Sequence, residues 1–459
     1  MLWPIGYTTQ ERKYLMLKRN QLHQYQLNMI EKAKTIPHMG LFMEVGLGKT
    51  ITSLTIVAEQ FSGKTLIVCP KKVAETVWHK EAANWEHTKH LKISKVLGTE
   101  KQRIAALQEE ADIYVINIEN IVWLTGRPEM LVFTNLILDE SQKWKDASTK
   151  RHKALRKFLK QFTHRAILTA TPAPQGLQDL YSQVGILDLG QRLGTSLTAF
   201  RTAYAEPDKI NRHTRQVYSW KLRSGMDAVI NKKIEDICFS LKAEDYLQLP
   251  PVTVIIHKIE MSNSARKQYD ELRKNMVLEV EENTITTPTA ATLSNKLLQF
   301  TSGATYTENG EWIETHSDKI QFLVEIMESN VAPTLIFYNY KHSLERLKAQ
   351  FPQGVVLDAS NIEAWTSGKI PVLFAHPKSA GAGLNLQNNT SHVAQIVWFD
   401  GTWSSEEFTQ GNGRIHRQGQ TAPVIIHQLA MEKTIDELVI EALDKKVEVQ
   451  NILLDALKM

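Results

Sequence analysis

The 459-residue chain is predicted to be an α/β protein of two tandem lobes, each a parallel sheet covered by helices. A helical insertion separates the lobes and further helices close the C-terminus. Three observations predict this. Short apolar runs alternate with amphipathic stretches in the first part of the chain, and the same alternation resumes in the second. The stretch between them lacks strand-like runs. The length exceeds what one ordinary core holds, which points to two or three domains.

In chain order, Leu41–Met43, Thr65–Cys69, Tyr114–Ile118, Leu136–Leu138 and Ala166–Thr169 read as buried strands. Helical patterns fall between them. From about residue 188 to 250 the chain is polar, basic and helical in tone. Leu249-Pro250-Pro251 then forces extended backbone and marks a boundary. The expected domains are 1–187, a first lobe; 188–250, an insertion and linker; and 251–459, a second lobe with a helical brace. Strand runs return at Thr334–Tyr338, Gly354–Leu357, Val372–Ala375, Gln395–Phe399 and Val424–Gln428. No sequence repeat relates the two halves. Asn309-Gly310, flanked by Tyr306 and Trp312, predicts a type I′ hairpin. It reads as surface decoration or as a DNA-touching pin. Ile435, Leu438, Val439, Ala442 and Leu443 recur at helical spacing near the C-terminus.

Composition excludes several classes. The chain is 42% hydrophobic and 23% charged, as expected for a soluble globular protein. No apolar run is long enough to span a bilayer, and the first residues are too polar for a secretory signal. Two cysteines, Cys69 and Cys238, rule out a rich disulfide framework and zinc ribbons, and a reducing cytoplasm fits best. Cys69 reads as a core thiol. The net charge of +4 permits nucleic-acid binding without arguing for it. Lys143, Lys145, Lys150, Arg151, Lys153, Arg156, Lys157, Lys160 and Arg165 are opposed only by Asp146. They form either a solvated helix face or a surface that meets phosphate backbone.

The chemistry lies in separated motifs. Gly46-Leu47-Gly48-Lys49-Thr50 follows a strand and precedes a helix, the context of a phosphate loop. The glycines let backbone N–H groups approach phosphate oxygens. Lys49 neutralises the β/γ-phosphates of ATP, and Thr50 offers a hydroxyl to Mg²⁺. The helix presents its positive end. Met43 stands where the G-x-x-x-x-G-K-T pattern begins with glycine. Asp139, at a strand end, is placed to hold Mg²⁺ through water, and Glu140 to polarise the attacking water. Thr169 and Thr171 end another strand and offer hydroxyls that link the acidic site to the neighbouring lobe. Gln26, upstream of the phosphate loop, carries an amide suited to reading adenine. In Gln410–Gln420, QGNGRIHRQGQ, Arg414 and Arg417 stand three apart. Fixed cations stabilise the charge that develops on a transferring phosphoryl group. The Ala380–Leu386 segment, with Gly383 and Asn385, reads as a flexible loop that follows closure of the lobes.

Together these residues resemble the superfamily 2 helicases, and within them the Swi/Snf-like ATPases. MEVGLGKT, LIVCPKKVAETVWHKEAANW, Asn117-Ile118-Glu119-Asn120, DESQ, LTATP, the LPP junction, TLIFYNYKHSLERL, GAGLNLQ, Trp398–Trp403 and QGNGRIHRQGQ occur in family order. The resemblance implies two RecA-like lobes with ATP in their cleft and DNA crossing both. It implies ATP-driven tracking along duplex DNA. Gln410 is then expected at the ATP cleft, and Gln142 is expected to couple the ATP and DNA sites. Pro70, Lys71, Lys72 and Asn117 match DNA-contacting blocks. The chain departs from the family at Gln142, where histidine is more usual, and at Gly411-Asn412-Gly413, where a bulkier, commonly acidic stretch is usual. Its compactness resembles a prokaryotic or phage member, monomeric and cytoplasmic, in a bacterial or phage-infected cell. The alternatives are a strand-separating or branch-migrating helicase, and a catalytically silent nucleic-acid-binding scaffold.

Overall fold

The computed structural model describes residues 16–173, 176–210, 217–247, 249–282, 287–329, 332–380 and 384–445. The chain divides into two compact units, residues 1–247 and 248–459.

Among its described residues the first unit holds nine strands: β1 His38–Met43, β2 Thr65–Cys69, β3 Ile93–Val96, β4 Ile113–Asn117, β5 Asn135–Asp139, β6 His164–Thr169, β7 Ala205–Ile210, β8 Val217–Leu222 and β9 Cys238–Leu241. Seven form one parallel sheet in the order β3-β4-β2-β5-β6-β1-β9. Its inner strands are buried on both faces, which is why they read as continuous apolar runs. Leu66, Val68, Tyr114, Ile116, Leu136 and Leu138 contribute to the core on one side. The five expected strands are present, Thr65–Cys69 with the expected ends and the others with ends shifted by one to three residues. Ile118 begins a 3₁₀ turn rather than ending β4.

The stretch expected to be a helical insertion is partly β. Its helices Leu197–Tyr204 and Met226–Ile234 are present, but β7 and β8 pair as an antiparallel hairpin between them. β9 then joins the sheet beside β1, with Gly40 opposite Cys238. A Cβ on Gly40 would lie 2.9 Å from Cys238 Sγ, so glycine there admits the neighbouring strand. Phe200, Tyr204, Ile230, Ile234 and Ile237 belong to the core of the first unit.

The second unit contains β10 Val252–Ile259, β11 Ala304–Tyr306, β12 Trp312–Glu314, β13 Thr334–Phe337, β14 Val355–Val356, β15 Val372–Ala375, β16 Ala394–Trp398 and β17 Val424–Met431. Six form a parallel sheet in the order β10-β17-β16-β13-β15-β14. β10 has no counterpart in the sequence reading, because half-exposed Val252, Val254 and Ile256 alternate along an edge. The helix Ile435–Lys445 packs Ile435 and Val439 against Tyr269, Leu297 and Phe300. The rest of the expected brace lies outside the described residues.

Asn309-Gly310 turns a hairpin between β11 and β12, but not in type I′ geometry. Gly310 has φ 80°, Asn309 keeps a negative φ, and Gly310 N donates to Thr307 O at 3.1 Å. This is a type I turn followed by a left-handed residue, the usual build of a three-residue hairpin loop.

Candidate functional site

In the first unit the expected site residues gather at one edge of the sheet, where the parallel strands end. Gly46–Thr50 follows β1, Pro70–Lys72 follows β2, Asn117 ends β4, Asp139 ends β5, and Thr169 ends β6. That edge is where open parallel sheets bind ligands.

Gly46 and Gly48 have φ 91° and 75°, values that side-chain-bearing residues seldom adopt. Gly48 caps the helix Lys49–Gln60, so the helix's free N–H groups face the loop. Met43 belongs to β1, where extended backbone needs no glycine, which accounts for the departure at that position. Lys49 Nζ donates to Met43 O at 2.6 Å and to Glu44 O at 3.4 Å. The helix Gln24–Ala33 presents Gln26, which is buried. Its Oε1 accepts from His23 N at 2.8 Å, and its Nε2 donates to Leu47 O at 3.2 Å. Both ends of the amide expected at adenine are thus engaged within the protein, and Gln26 braces the loop. A Cβ on Gly48 would lie 2.3 Å from Gln26 Nε2, a second reason for glycine there.

Asp139 is buried and its Oδ1 accepts from Glu140 N at 3.0 Å. Burial and the neighbouring Glu140 charge push its carboxyl up to about 7, while Lys49 pulls it down. A divalent cation reverses that balance, so this carboxylate and the Thr50 hydroxyl have the hard-oxygen chemistry that suits Mg²⁺. Glu140 itself has φ 54°, a strained value for a non-glycine residue of a kind that collects at functional sites.

A hydrogen-bond chain leads away from Glu140. Gln142 Nε2 donates to Glu140 Oε2 at 2.7 Å, Thr169 Oγ1 donates to Gln142 Oε1 at 2.6 Å, and Thr171 N donates to Thr169 Oγ1 at 3.0 Å. A second strut joins the same two loops. Ser141 Oγ donates to Gln183 Oε1 at 2.7 Å, and Gln183 Nε2 donates to Pro172 O at 2.6 Å. Gln183 carried no sequence signal; it lies mid-helix, far from any motif.

Among the candidate DNA contacts, Lys71 and Lys72 are exposed at the start of the helix Lys71–Thr76. Asn117 is buried, and its side chain bonds Glu119 and Asn120 at 2.7 and 2.6 Å. The basic run divides. Arg165 is a core residue whose guanidinium bonds Leu159 O at 2.6 Å and also Leu187 O. Lys145 pairs with Asp179 at 3.7 Å. Lys150, Lys153, Arg156, Lys157 and Lys160 are exposed.

In the second unit, Gln410-Gly411-Asn412 is helical, forming the last turn of Ser405–Asn412. Gly411 lies against Trp398 and Phe337, and Asn412 Oδ1 accepts from Trp398 Nε1 at 3.0 Å. The glycine is therefore a packing device. Gln410 is buried and donates to Glu406 Oε1 at 3.2 Å. Arg414 and Arg417 each donate from Nη1 to Leu384 O at 3.3 Å, so the two guanidinium groups converge on one carbonyl. Leu386 N donates to Arg414 O at 3.0 Å, and Gln387 Nε2 donates to Arg417 O at 2.9 Å. The Leu384–Gln387 strand of loop is thus knitted to the arginine segment. Asn385 is exposed and its Oδ1 accepts from Gln387 N. Gly383 lies outside the described residues.

A phosphate loop, an acidic pair at a strand end and two parallel sheets define a helicase-like nucleotide hydrolase. The SNF2-related domain family matches residues 20–303, and the chain belongs to that family of ATP-dependent, helicase-like enzymes. It is similar to "Putative protein p41" of Acyrthosiphon pisum secondary endosymbiont phage 1, at 34% identity over 455 residues, covering 95% of this chain and 98% of that protein. Identity is 22% over 456 residues with the CHD3-type chromatin-remodeling factor CHR7 of Arabidopsis thaliana, covering 89% of this chain and 35% of that protein. It is 23% over 431 residues with the uncharacterized ATP-dependent helicase YqhH of Bacillus subtilis, covering 88% and 74%. The chain therefore spans about a third of the chromatin-remodelling relative. Among solved structures, the Sulfolobus solfataricus SWI2/SNF2 ATPase core in complex with dsDNA matches with TM-score 0.43 and 19% identity, covering 93% of this chain and 91% of that one. Among the described residues, no helix is long and apolar enough to cross a membrane.

Proposed function

We propose that this protein is a DNA-stimulated ATPase that moves along duplex DNA as a monomer. The observation that carries the reading is the bonded chain Glu140–Gln142–Thr169–Thr171. It ties the residue suited to activate water, after β5, to the end of β6, while the proposed DNA contacts Pro70–Lys72 follow β2, the neighbour of β5 on its other side. Glu140 thus stands between the two strand ends, and a change at the end of β6 can reach it through these bonds.

The proposed division of labour follows from the side chains. Gly46, Leu47 and Gly48 offer N–H groups to phosphate oxygens, and Lys49 exchanges the carbonyls of Met43 and Glu44 for the β/γ-phosphates. Thr50 and Asp139 would hold Mg²⁺, which when bound supplies charge neutralisation at those phosphates. Glu140 accepts the proton of the attacking water while Gln142 holds its other oxygen. Gln26 keeps one amide hydrogen and one lone pair to offer to adenine. Gln410, Arg414 and Arg417 are proposed to act on the same nucleotide. The arginines would leave Leu384 O for the γ-phosphate, which makes turnover depend on the Leu384–Asn385 segment.

ATP turnover measured without nucleic acid and with duplex DNA, single-stranded DNA and duplex RNA tests this. Strongest stimulation by duplex DNA, coupled to displacement of a bound third strand, is expected. Equal rates in all four conditions would overturn it. Lys49→Ala is expected to lose nucleotide use, and Glu140→Gln to bind ATP without hydrolysing it. Tyr306 and Trp312 pack back on His342, and Trp312 Nε1 bonds Glu345 Oε2 at 3.0 Å. This packing of the hairpin's aromatics on their own unit favours translocation over the strand-separating wedge reading.

A further inference from the structure

β9 ends beside the phosphate loop, because it pairs with β1 in register, Met43 opposite Leu241. The chain then makes the short helix Ala243–Tyr246 and reaches Leu247, the last residue of the first unit. Glu44 grips this exit segment twice. Its N donates to Leu241 O at 3.0 Å, and its Oε2 accepts from Ala243 N at 2.8 Å. The carbonyl of the same residue accepts from Lys49 Nζ. A separate contact joins the exit helix to the Gln26 helix, with the Tyr25 and Tyr246 rings 4.9 Å apart. The exit segment is thus held by the residue that carries the resting Lys49 and by the neighbour of Gln26.

We propose that Glu44 is a positioning residue that couples nucleotide occupancy of the phosphate loop to the exit segment Ala243–Leu247. The inference rests on the ATP-binding reading given above. When Lys49 moves to phosphate, the peptide of Glu44 loses the ammonium that braced it. The change passes through two hydrogen bonds to Leu241 and Ala243, and from there into the backbone that leads out of the unit. Glu44 touches no phosphate in this scheme; it acts through the backbone it holds.

Amide hydrogen exchange of the full-length protein tests the proposal, with and without a non-hydrolysable ATP analogue and Mg²⁺. The reporter is Leu247 N, which donates to Ala243 O at 2.8 Å. In the unsubstituted protein the analogue is expected to change its exchange rate about tenfold, the scale of ordinary intersite coupling. Glu44→Ala is expected to abolish the change while still binding the analogue, and Glu44→Gln, which retains an acceptor oxygen, to restore it. Ala243→Pro removes only the donor, since Ala243 opens the helix and Lys242 before it is extended, a setting that tolerates proline. It is expected to behave as Glu44→Ala does. A change at Leu247 that persists in both Glu44→Ala and Ala243→Pro overturns the proposal, as does no change in the unsubstituted protein despite saturation. Failure of the unsubstituted protein to bind the analogue overturns the ATP-binding reading itself, and the coupling with it.

Discussion

Replacing Gly411 with alanine separates a packing role from a flexibility role for the start of the arginine segment. Gly411 is buried in the last turn of Ser405–Asn412. An added Cβ would lie 2.9 Å from Trp398 Cζ2 and 3.0 Å from Phe337 Cζ. Those rings are stacked with centroids 4.4 Å apart and are 2% and 0% exposed, so neither has room to yield. Trp398 is also pinned by its bond to Asn412 and by Phe408, 5.1 Å away. Alanine gains about 1 kcal/mol over glycine in a helix interior. Overpacking a filled core costs about 1–3 kcal/mol. The net expectation is a loss of about 1 kcal/mol, seen in thermal unfolding as a Tm lower by about 2–4 °C for a unit of this size. Gly185 provides the control. It lies inside the helix Gln178–Asp188, and nothing lies within 4 Å of an added Cβ. Gly185→Ala is therefore expected to stabilise by about 0.5–1 kcal/mol. ATP turnover should fall in Gly411→Ala, because Arg414 lies three residues on and its N donates to Gly411 O at 3.1 Å, and hold in Gly185→Ala. A Tm for Gly411→Ala equal to or above that of the unsubstituted protein would refute the packing account.

Other substitutions probe the site chemistry. Thr169→Val leaves Gln142 Oε1 buried without its donor, at a cost of about 1–3 kcal/mol in urea unfolding. DNA-stimulated turnover is expected to drop more than basal turnover; equal drops would argue against a coupling role. Arg417→Ala is expected to slow ATP hydrolysis by about 10³-fold or more with unchanged unfolding, as for loss of an arginine finger. Near-normal turnover would reassign the role. Acid should destabilise the protein before ordinary carboxylates titrate. Burial pulls the imidazoles of His38, His342 and His427 down to about 4. The unfolded chain, with imidazoles near the ordinary 6.5, binds protons that the folded chain refuses. Stability is therefore fully present above that value and is lost as pH falls toward 4. His427 Nδ1 lies 2.8 Å from His257 Nε2, so His427→Asn is expected to flatten the decline. An unchanged pH profile of Tm would contradict this.

The inner strands were legible because a parallel strand covered on both faces must be apolar along its length, as in Thr65–Cys69 and Asn135–Asp139. The phosphate loop was legible because its glycines, lysine and threonine are adjacent in the chain and each has a separate task. The edge strand β14 falls within the expected run Gly354–Leu357, but other strands outside the inner runs were not legible. β10 alternates on a half-exposed edge, and β7 and β8 lie in a stretch whose polarity suits surface structure of any kind. The hairpin at Asn309-Gly310 was legible as a turn, but its type depends on how the flanking strands are held.

Local pattern thus determined what each segment had to bury and which residues could carry phosphate chemistry. Tertiary structure decided which distant segments meet. Gly40 admits Cys238, so β9 ends beside the phosphate loop and brings Ala243 to Glu44. Trp398 requires a glycine at 411, so the arginine segment starts as a packed helix end. Leu384 O draws Arg414 and Arg417 together across a gap in sequence. Periodicity reports burial through nearest neighbours along the chain, whereas these contacts depend on the shape and hydrogen-bond vacancies of groups that become neighbours only on folding.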